Sequence, residues 1–369
     1  IMRTGAGRYI QGENTSSLVG QELKRLGFHK VGIIAGKRAF EAAKQPLITG
    51  LDQAGLVYDV SIYPGYCTAG DIDFYVHWAR QQSYDCVLGV GGGKLMDLSK
   101  AVGALARLPV FTLPTIAATC AAFAPLSVIY DETGHQETIR YHEDSVSGVF
   151  VDLTVLANAP QRYLAAGIAD AFAKYCEYTS MRASVEYGDI DFGRFMGARL
   201  AHEGDEVLFC CARQAYEDNQ AHRPSTAFSD AVTCLIGVTG VISGFGAYAA
   251  KGSARFAIAH GFNEIIRARY VPDPRKYLHG EVVAVGIMAQ VRANGIPAQE
   301  VQRLEALFQD LNVPTRLSQI DMDYDDAHLK RFTDELLVHS KVESVYHQRV
   351  IQAVRAIRLN QQTYGLCFG

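Results

Sequence analysis

Concentrated positive charge is the first feature that this 369-residue chain lacks. Lys and Arg together number 35 against 39 Asp and Glu, which gives a formal net charge of -4, and charged residues make up only 20% of the chain. Binding to nucleic acid or to an anionic membrane surface requires clustered Lys and Arg, which pair with phosphates and release counterions. The composition therefore predicts no nucleic-acid partner and no membrane partner, and it favours a small-molecule substrate.

Long apolar runs and paired cysteines are also missing. The sequence has no run of about 18 apolar residues, and its N-terminus lacks the basic, apolar and small-residue succession of a signal peptide. The eight cysteines show no C-x-x-C pair and no regular spacing, which argues against a zinc cage and a disulfide framework. A cytoplasmic protein with reduced, mostly buried thiols is therefore expected.

Short β-branched runs alternate with helical stretches in the first half of the chain. The runs predicted as strands are Lys30–Ala35, Val57–Tyr63, Asp85–Val90, Pro109–Leu113 and Gly148–Val151. This alternation is typical of a parallel sheet covered by helices. Helical patterns rich in Ala, Glu, Arg and Leu replace it later. We expect an α/β domain over residues 1–157 and an all-α domain over 158–369, with a catalytic cleft between them.

Three proline-containing segments mark the predicted breaks between helices. Asn158-Ala159-Pro160 predicts a turn followed by a helix start at the domain boundary. Pro272-Asp273-Pro274 and Asn312-Val313-Pro314 predict loops inside the helical half.

The strongest local signal is an apolar strand that runs into three consecutive glycines and then into a helix. Its sequence is Val87-Leu88-Gly89-Val90-Gly91-Gly92-Gly93-Lys94-Leu95-Met96-Asp97. Because glycines lack Cβ atoms, a diphosphate can approach their amides, and the helix N-terminus supplies positive partial charge. The spacing matches neither Walker A nor G-x-G-x-x-G. The segment predicts a phosphate-binding loop, and a tight turn without a ligand is the alternative.

A second polar segment follows the next predicted strand. In Leu113-Pro114-Thr115-Ile116-Ala117-Ala118-Thr119, two hydroxyl side chains stand near the carboxyl end of the strand. Ligands of open α/β sheets bind at that edge. An ordinary turn that caps the following helix is the alternative.

Three polar residues lie in segments that are otherwise apolar or small. Asp170 follows Ala165-Ala166-Gly167-Ile168-Ala169, His260 follows Phe256-Ala257-Ile258-Ala259, and His279 begins His279-Gly280-Glu281-Val282-Val283-Ala284-Val285-Gly286. A buried carboxylate is costly unless a charged partner or a metal compensates it. One carboxylate and two imidazoles can hold a divalent ion with open positions for substrate oxygen. Taken singly, each residue also fits a hydrogen-bonded core position.

The motifs, in this order, resemble those of the iron-containing (group III) alcohol dehydrogenase family, and specifically its glycerol dehydrogenase-like branch. The matching segments are Arg8–Gly12, Gly89–Lys100, Pro114–Tyr130, Asn158–Glu177 and His279–Gly286. The resemblance implies a Rossmann-like N-terminal domain, a helical C-terminal domain with dehydroquinate synthase-like architecture, and a divalent metal, zinc or iron.

The resemblance also implies roles for individual residues. The metal-ligand positions are Asp170, His260 and His279. The diphosphate-loop positions are Gly92, Gly93, Lys94 and Asp97, and the further cofactor-contact positions are Thr115, Thr119, Leu126 and Tyr130.

Two departures from the family pattern fall in the expected substrate pocket. Where glycerol dehydrogenases have a segment similar to S-T-D-A, this chain has Thr119-Cys120-Ala121. The Asp of that segment helps to hold a polyol, and this chain lacks its carboxylate. The pattern around Cys120 is more similar to bacterial hydroxycarboxylate dehydrogenases that reduce 2-oxo acids. In the family, a second histidine usually stands three residues after the one that matches His260, and this chain has Asn263 at that position.

A third departure concerns the adenosine end of the cofactor. Many relatives have an Asp at the end of the first strand, where this chain has Gly36, followed by Lys37 and Arg38. Loss of a carboxylate removes repulsion toward a 2′-phosphate, and the neighbouring cations can pair with it. NADP(H) is therefore favoured over NAD(H), although solvated surface charges are the alternative interpretation of Lys37 and Arg38.

Together these features predict a metal-dependent NAD(P)(H) oxidoreductase that interconverts a small alcohol or 2-hydroxy acid and its carbonyl form. The alternatives are a glycerol or polyol dehydrogenase, a dehydroquinate synthase-like cyclase, and a non-catalytic relative whose substrate pocket has decayed. A homo-oligomer is expected from the habit of the family.

Overall fold

The computed structural model of the chain describes residues 4–63, 65–249, 257–270, 273, 276–322 and 325–358. The chain forms two compact units: Ile1–Leu164 together with Glu206–Tyr248, and Ala165–Asp205 together with Ala249–Gly369. This division differs from the contiguous segments 1–157 and 158–369 that the sequence predicts. The difference arises because residues 206–248 pack with the unit that holds the N-terminal residues.

A parallel sheet of six strands forms the centre of the first unit. In chain order, the strands of this unit, inside and outside that sheet, are β1 (Tyr9–Gly12), β2 (Lys30–Ala35), β3 (Val57–Ile62), β4 (Cys86–Gly91), β5 (Val110–Pro114), β6 (Leu126–Tyr130), β7 (Gln136–Tyr141) and β8 (Gly148–Asp152). The sheet order is β1-β8-β5-β4-β2-β3, and β6 and β7 form a separate antiparallel pair. The five predicted strands are confirmed, each to within one residue at either end. The predicted fold class is confirmed as well.

The central strands are buried because their sequences are apolar on both faces. Every residue of β4, β5 and β8 is buried, as are all residues of β2 except its first. Continuous apolar runs of this kind are typical of parallel strands that helices cover on both sides.

The strand order reverses between β2 and β4, which pair with each other in parallel. The chain leaves β2 for its outer neighbour β3 and then returns to β4 on the opposite side of β2. Ligands of open α/β sheets bind at the carboxyl ends of the strands that flank such a switch point. Gly36 directly follows β2, Gly92 directly follows β4 and Thr115 directly follows β5. The predicted cofactor residues therefore meet at one edge of the sheet.

The helices follow the apolar periodicity of the chain, and several of them begin at a residue whose side chain caps the helix. They are α1 (Val19–Arg25), α2 (Lys37–Gln53), α3 (Ala69–Gln82), α4 (Gly93–Ala106), α5 (Leu153–Ala157), α6 (Gln161–Thr179), α7 (Phe192–Gln220), α8 (Thr226–Val232), α9 (Thr239–Ala249), α10 (Ile258–Ile265), α11 (His279–Asn294), α12 (Ala298–Asp310), α13 (Asp326–His339) and α14 (His347–Ala356). The Thr68 side chain caps α3 by accepting from Asp71 N, and the Asp152 side chain caps α5 in the same way.

The predicted breaks fall where two of these helices end. Asn158-Ala159-Pro160 separates α5 from α6, and Asn312-Val313-Pro314 follows α12, so both predictions are confirmed. In the third segment, Pro272 and Pro274 lie outside the described residues.

One stretch of helix, Thr226–Phe245, is long and apolar enough to cross a membrane by length and composition, with a mean hydropathy of 1.5. More than half of its apolar window, 56%, is buried within the protein, as in the core helices of soluble proteins. In the described part of the chain no cysteine forms a disulfide, and all except Cys210 are buried, as predicted. Cys367 lies outside the described residues.

Candidate metal centre and dinucleotide site

Three helices of the second unit carry the predicted metal ligands. Asp170 lies in α6, His260 in α10, and His279 is the first residue of α11. Gly280 lets α11 approach α6, since a Cβ atom there would lie 1.8 Å from the carbonyl oxygen of Ala166. Gly280, one of the small residues that follow His279 in the sequence, therefore permits α11 to lie close to α6.

The helices bring the three side chains into one cluster. Asp170 Oδ1 lies 3.3 Å from His260 Nε2 and 3.3 Å from His279 Nε2. One carboxylate oxygen and two ring nitrogens lie within 4.8 Å of one another. The two imidazole rings have centroids 5.4 Å apart and are tilted by 47°. The sequence places Asp170 and His279 more than one hundred residues apart, so only the packing of the helices assembles the cluster.

The environment of the cluster fits a divalent cation. Asp170 is buried, and its Oδ1 makes no hydrogen bond within the part of the chain that the structure describes. A buried carboxylate oxygen of this kind requires compensation, which a cation supplies. One carboxylate and two imidazoles are a donor set that zinc and iron accept, with positions left for other oxygen ligands. Both histidines remain partly exposed, at 24% and 35% of the side chain.

Two further residues of α6 border the cluster. Glu177 uses both carboxylate oxygens on His260: Oε2 lies 2.8 Å from Nδ1, and Oε1 accepts from the backbone N at 2.8 Å. The Nζ atom of Lys174 lies 3.4 Å from His260 Nε2. Asp170, Lys174 and Glu177 are spaced by four and three residues, which places them on one face of the helix.

The charges of this group change the pKa values of its members. Burial alone would raise the pKa of Asp170, but Lys174 and the two histidines hold it well below its usual range. Burial alone would lower the pKa of His260, but the carboxylates of Glu177 and Asp170 raise it to about 9. Burial lowers the pKa of His279 although Asp170 acts in the opposite direction. The carboxylates are therefore ionised at neutral pH, as metal ligation requires, whereas the His260 ring must release a proton when a metal binds.

The glycine loop lies between β4 and α4 in the first unit. Gly92 is the N-cap of α4, and the helix begins at Gly93. The first N–H groups of a helix have no acceptor within the helix and carry its positive partial charge. A Cβ atom on Gly93 would lie 3.3 Å from Thr119 Oγ1. The loop thus joins two of the predicted cofactor segments and presents the backbone features of an anion cradle.

An aromatic pair surrounds the predicted lysine of this loop. Lys94 Nζ lies 3.6 Å from the ring centroid of Tyr66 and 5.8 Å from that of Tyr130. The two tyrosine rings have centroids 5.7 Å apart. Cation–π attraction holds an ammonium group over an aromatic face. The sequence singles out Tyr130 and Lys94 but not Tyr66.

Asp97 has a different setting from the other predicted loop residues. It is buried, and its Oδ1 lies 3.0 Å from Lys100 Nζ. The same Nζ donates to the carbonyl oxygens of Ala124 and Leu126. Burial raises the pKa of Asp97, and Lys100 opposes this increase. The Asp97–Lys100 pair thereby fastens the start of β6 to α4, which is a structural task for a residue that the family pattern assigns to the diphosphate loop.

The residues at the end of β2 lie at the switch point. Gly36 N donates to Val90 O, and Gly36 is the N-cap of α2. Lys37 and Arg38 occupy the first turn of α2 and are exposed. A Cβ atom on Gly36 would meet only Ala39 Cβ, at an ordinary 3.6 Å. The position therefore has room for a larger side chain, so a lack of space is not the reason that a glycine stands there.

The two predicted substrate-pocket residues lie in different units. Cys120 is buried in the first unit, where its Sγ lies 3.5 Å from Ser243 Oγ. Asn263 is buried in α10, three residues after His260, and its Oδ1 makes no hydrogen bond within the described chain. Asn263 therefore carries an unsatisfied polar atom on the helix that carries a candidate ligand.

Three residues beside these sites are not among those predicted from the sequence: Glu177, Lys174 and Tyr66. The spacing of Asp170 and Glu177, seven residues apart on one predicted helix, was an available signal for Glu177. No sequence signal connects Tyr66 with Lys94, because the contact depends on where the loop after β3 runs.

Comparisons with known proteins agree with this architecture. Residues 6–152 match the family described as iron-containing alcohol dehydrogenase. The chain is 32% identical over 320 residues to hydroxycarboxylate dehydrogenase A from Escherichia coli (strain K12), across 85% of this chain and 83% of that protein. It is 28% identical over 339 residues to glycerol dehydrogenase from Pseudomonas putida, across 89% and 88% of the two chains.

The fold is shared with a solved glycerol dehydrogenase from Schizosaccharomyces pombe. The two superpose with a TM-score of 0.81 at 22% identity, over 96% of this chain and 89% of the other. The family match, and the 32% identity over more than four fifths of both chains, confirm what the motifs predict: the chain belongs to the iron-containing alcohol dehydrogenase family.

Proposed function

We propose that the protein is a metal-dependent NAD(P)(H) oxidoreductase that interconverts a small 2-hydroxy acid, or another small alcohol, and its carbonyl form. The convergence of Asp170 Oδ1, His260 Nε2 and His279 Nε2 within 4.8 Å carries the proposal. Membership of the family and the similarity to named dehydrogenases support the class of reaction. The same relatives weigh against a cyclase.

Asp170, His260 and His279 would hold the metal. When bound, a divalent ion polarises a substrate oxygen as a Lewis acid. The protein supplies the ionised Asp170 carboxylate and two imidazoles, one of which, His260, is held by Glu177. The partial exposure of His260 and His279 leaves that side of the cluster accessible to a small molecule. In the first unit, the α4 N-terminus, Lys94 and Thr119 would bind the cofactor diphosphate.

A preference for NADP(H) follows from the chemistry at the end of β2. Gly36 would place no carboxylate beside the adenosine ribose of a bound cofactor, and Lys37 and Arg38 add two exposed positive charges at a helix N-terminus. A 2′-phosphate is attracted by such charges, whereas an Asp would repel it.

A 2-hydroxy acid or 2-oxo acid is the favoured substrate class, and a glycerol-like diol is the second candidate. Cys120 is small, buried and neutral where the polyol-binding pattern has a carboxylate. Burying a substrate carboxylate beside an Asp would be unfavourable, since like charges repel in a partly desolvated site. The similarity to a hydroxycarboxylate dehydrogenase points in the same direction.

The test combines bound metal with cofactor turnover. Elemental analysis of the purified protein is expected to find about one zinc or iron per chain, and Asp170→Asn is expected to lose it. Nicotinamide absorbance is then followed with NADPH and NADH across a panel of 2-oxo acids, aldehydes and polyols. Turnover that persists after complete metal removal, or an unchanged metal content in Asp170→Asn, would contradict the proposal. Light scattering of the same samples tests the expected homo-oligomer.

A further inference from the structure

We propose that Glu177 is a positioning residue that fixes the tautomer and the direction of the His260 ring, so that Nε2 is directed at a divalent ion held with Asp170 and His279. The inference rests on the proposed metal site. It concerns a residue that the sequence does not single out and that hydrogen-bonds to His260.

The hydrogen bond to the ring sets the tautomer. An ionised carboxylate only accepts hydrogen bonds, so the 2.8 Å contact between Glu177 Oε2 and His260 Nδ1 requires a proton on Nδ1. In the neutral ring, which is the form that binds a metal, the lone pair is then on Nε2. That nitrogen is the one that lies 3.3 Å from Asp170 Oδ1. A partner of this kind commonly orients the histidine ligands of metal sites.

The second carboxylate oxygen holds the backbone of the same residue. His260 is the third residue of α10, so its N–H is one of the groups that find no acceptor inside the helix. The N-cap residue Ala257 provides no side-chain cap, and Glu177 Oε1 accepts from His260 N instead. Because one carboxylate holds both the ring and the backbone of His260, the ring has little freedom to rotate.

The position of Glu177 on α6 explains its reach. Seven residues separate Asp170 from Glu177, and a straight helix drifts by only about 20° over that distance. One face of α6 therefore provides a candidate ligand and, two turns later, the group that orients another ligand. The Glu177 side chain is 10% exposed, so water competes weakly for its oxygens.

The chain offers a matched control for this role. Glu264 Oε2 lies 2.5 Å from His339 Nε2, which makes a second carboxylate–imidazole pair in the same unit. Glu264 lies in α10, as His260 does, but neither member of the pair belongs to the Asp170 cluster. Glu177→Gln and Glu264→Gln therefore remove the same charge from the same kind of contact, and only the first should affect the metal site.

The experiment measures metal affinity directly. Purified protein is stripped of metal and titrated with zinc in competition with a chromophoric chelator, and the cobalt-substituted protein is examined by visible absorption. Glu177→Gln is expected to weaken zinc binding roughly 10–100-fold and to change the cobalt spectrum. Glu264→Gln is expected to match the wild type in both measurements, and Asp170→Asn is expected to lose high-affinity binding.

The outcomes separate the two proposals. If Asp170→Asn binds zinc as the wild type does, the metal site itself is wrong. If Asp170→Asn loses zinc while Glu177→Gln keeps the affinity and the cobalt spectrum of the wild type, the role of Glu177 is overturned. If Glu177→Gln does not fold, Glu177→Asp is judged by the same criteria, because its shorter side chain cannot reach the ring and the backbone together.

Discussion

Replacement of Gly280 by Ala tests the packing that assembles the Asp170 cluster. The added Cβ atom would lie 1.8 Å from the carbonyl oxygen of Ala166 and 2.6 Å from its carbonyl carbon. Both are backbone atoms of α6, so no side-chain rotation relieves the overlap. The first turn of α11 must move away from α6, and His279 must move with it.

The expected magnitude follows from this overlap. Overpacking of a tight core contact costs about 1–3 kcal/mol. For a domain of about 150–250 residues this lowers the melting temperature by roughly 2–12 °C. The displaced His279 is also expected to weaken zinc binding, since a ligand must lie close to its ideal distance for a full contribution.

Gly70→Ala is the matched control. Gly70 is the second residue of α3, as Gly280 is of α11, and its added Cβ would meet only Thr68 Oγ1, at 4.0 Å. Alanine in a helix is favoured over glycine by up to about 1 kcal/mol. Gly70→Ala is therefore expected to leave stability unchanged or slightly raised.

Calorimetry of the metal-free proteins and chelator competition provide the two measurements. Of the two variants, only Gly280→Ala is expected to show a lower melting temperature and weaker zinc binding. A Gly280→Ala protein with the melting temperature and zinc affinity of the wild type would refute this prediction. It would mean that α11 and α6 can accommodate a Cβ atom at this contact.

Four further predictions concern the first unit. Gly93→Ala should retain the fold and weaken NADPH binding by about tenfold or more, about 1.4 kcal/mol, because a methyl group enters the anion cradle; equal affinity by fluorescence titration would contradict this. Gly36→Asp should lower the ratio of kcat/KM with NADPH to kcat/KM with NADH, and an unchanged ratio would contradict the proposed preference for NADP(H). Cys120→Asp should shift turnover from 2-oxo acids toward glycerol-like diols, and an unchanged substrate profile would count against the proposed pocket. Lys100→Met should destabilise the protein by about 3–5 kcal/mol in urea unfolding, because Asp97 loses its buried partner, and a cost below about 1 kcal/mol would argue against the ion pair.

The parallel sheet could be predicted because its signal is local. β2, β4 and β8 are apolar on both faces, so each run is visible without knowledge of its neighbours. β7 was not predicted as a strand, and its residues are all exposed except one, so burial leaves no apolar pattern in its sequence. The strand is recognisable only from its antiparallel pairing with β6.

The candidate site could be predicted only in part. Asp170 and His279 are conspicuous because each is a polar residue in an apolar segment. Glu177 gives no such signal, since its partner His260 lies 83 residues away and the contact arises from the packing of α6 and α10. The burial of Asp97 against Lys100 is also a property of the folded chain, because the carbonyl oxygens that share the lysine come from a later segment.

The discontinuous first unit has a consequence for synthesis on the ribosome. All strands of the parallel sheet have emerged by Asp152, but residues 206–248 complete the unit only later. Until then Gln11 lacks Ser229 and Thr233, to which its Nε2 donates at 2.9 and 2.8 Å. Domains generally fold as units during synthesis. The first unit must therefore persist incomplete while residues 165–205 of the second unit are being made, and a fragment that ends at residue 164 is expected to be aggregation-prone.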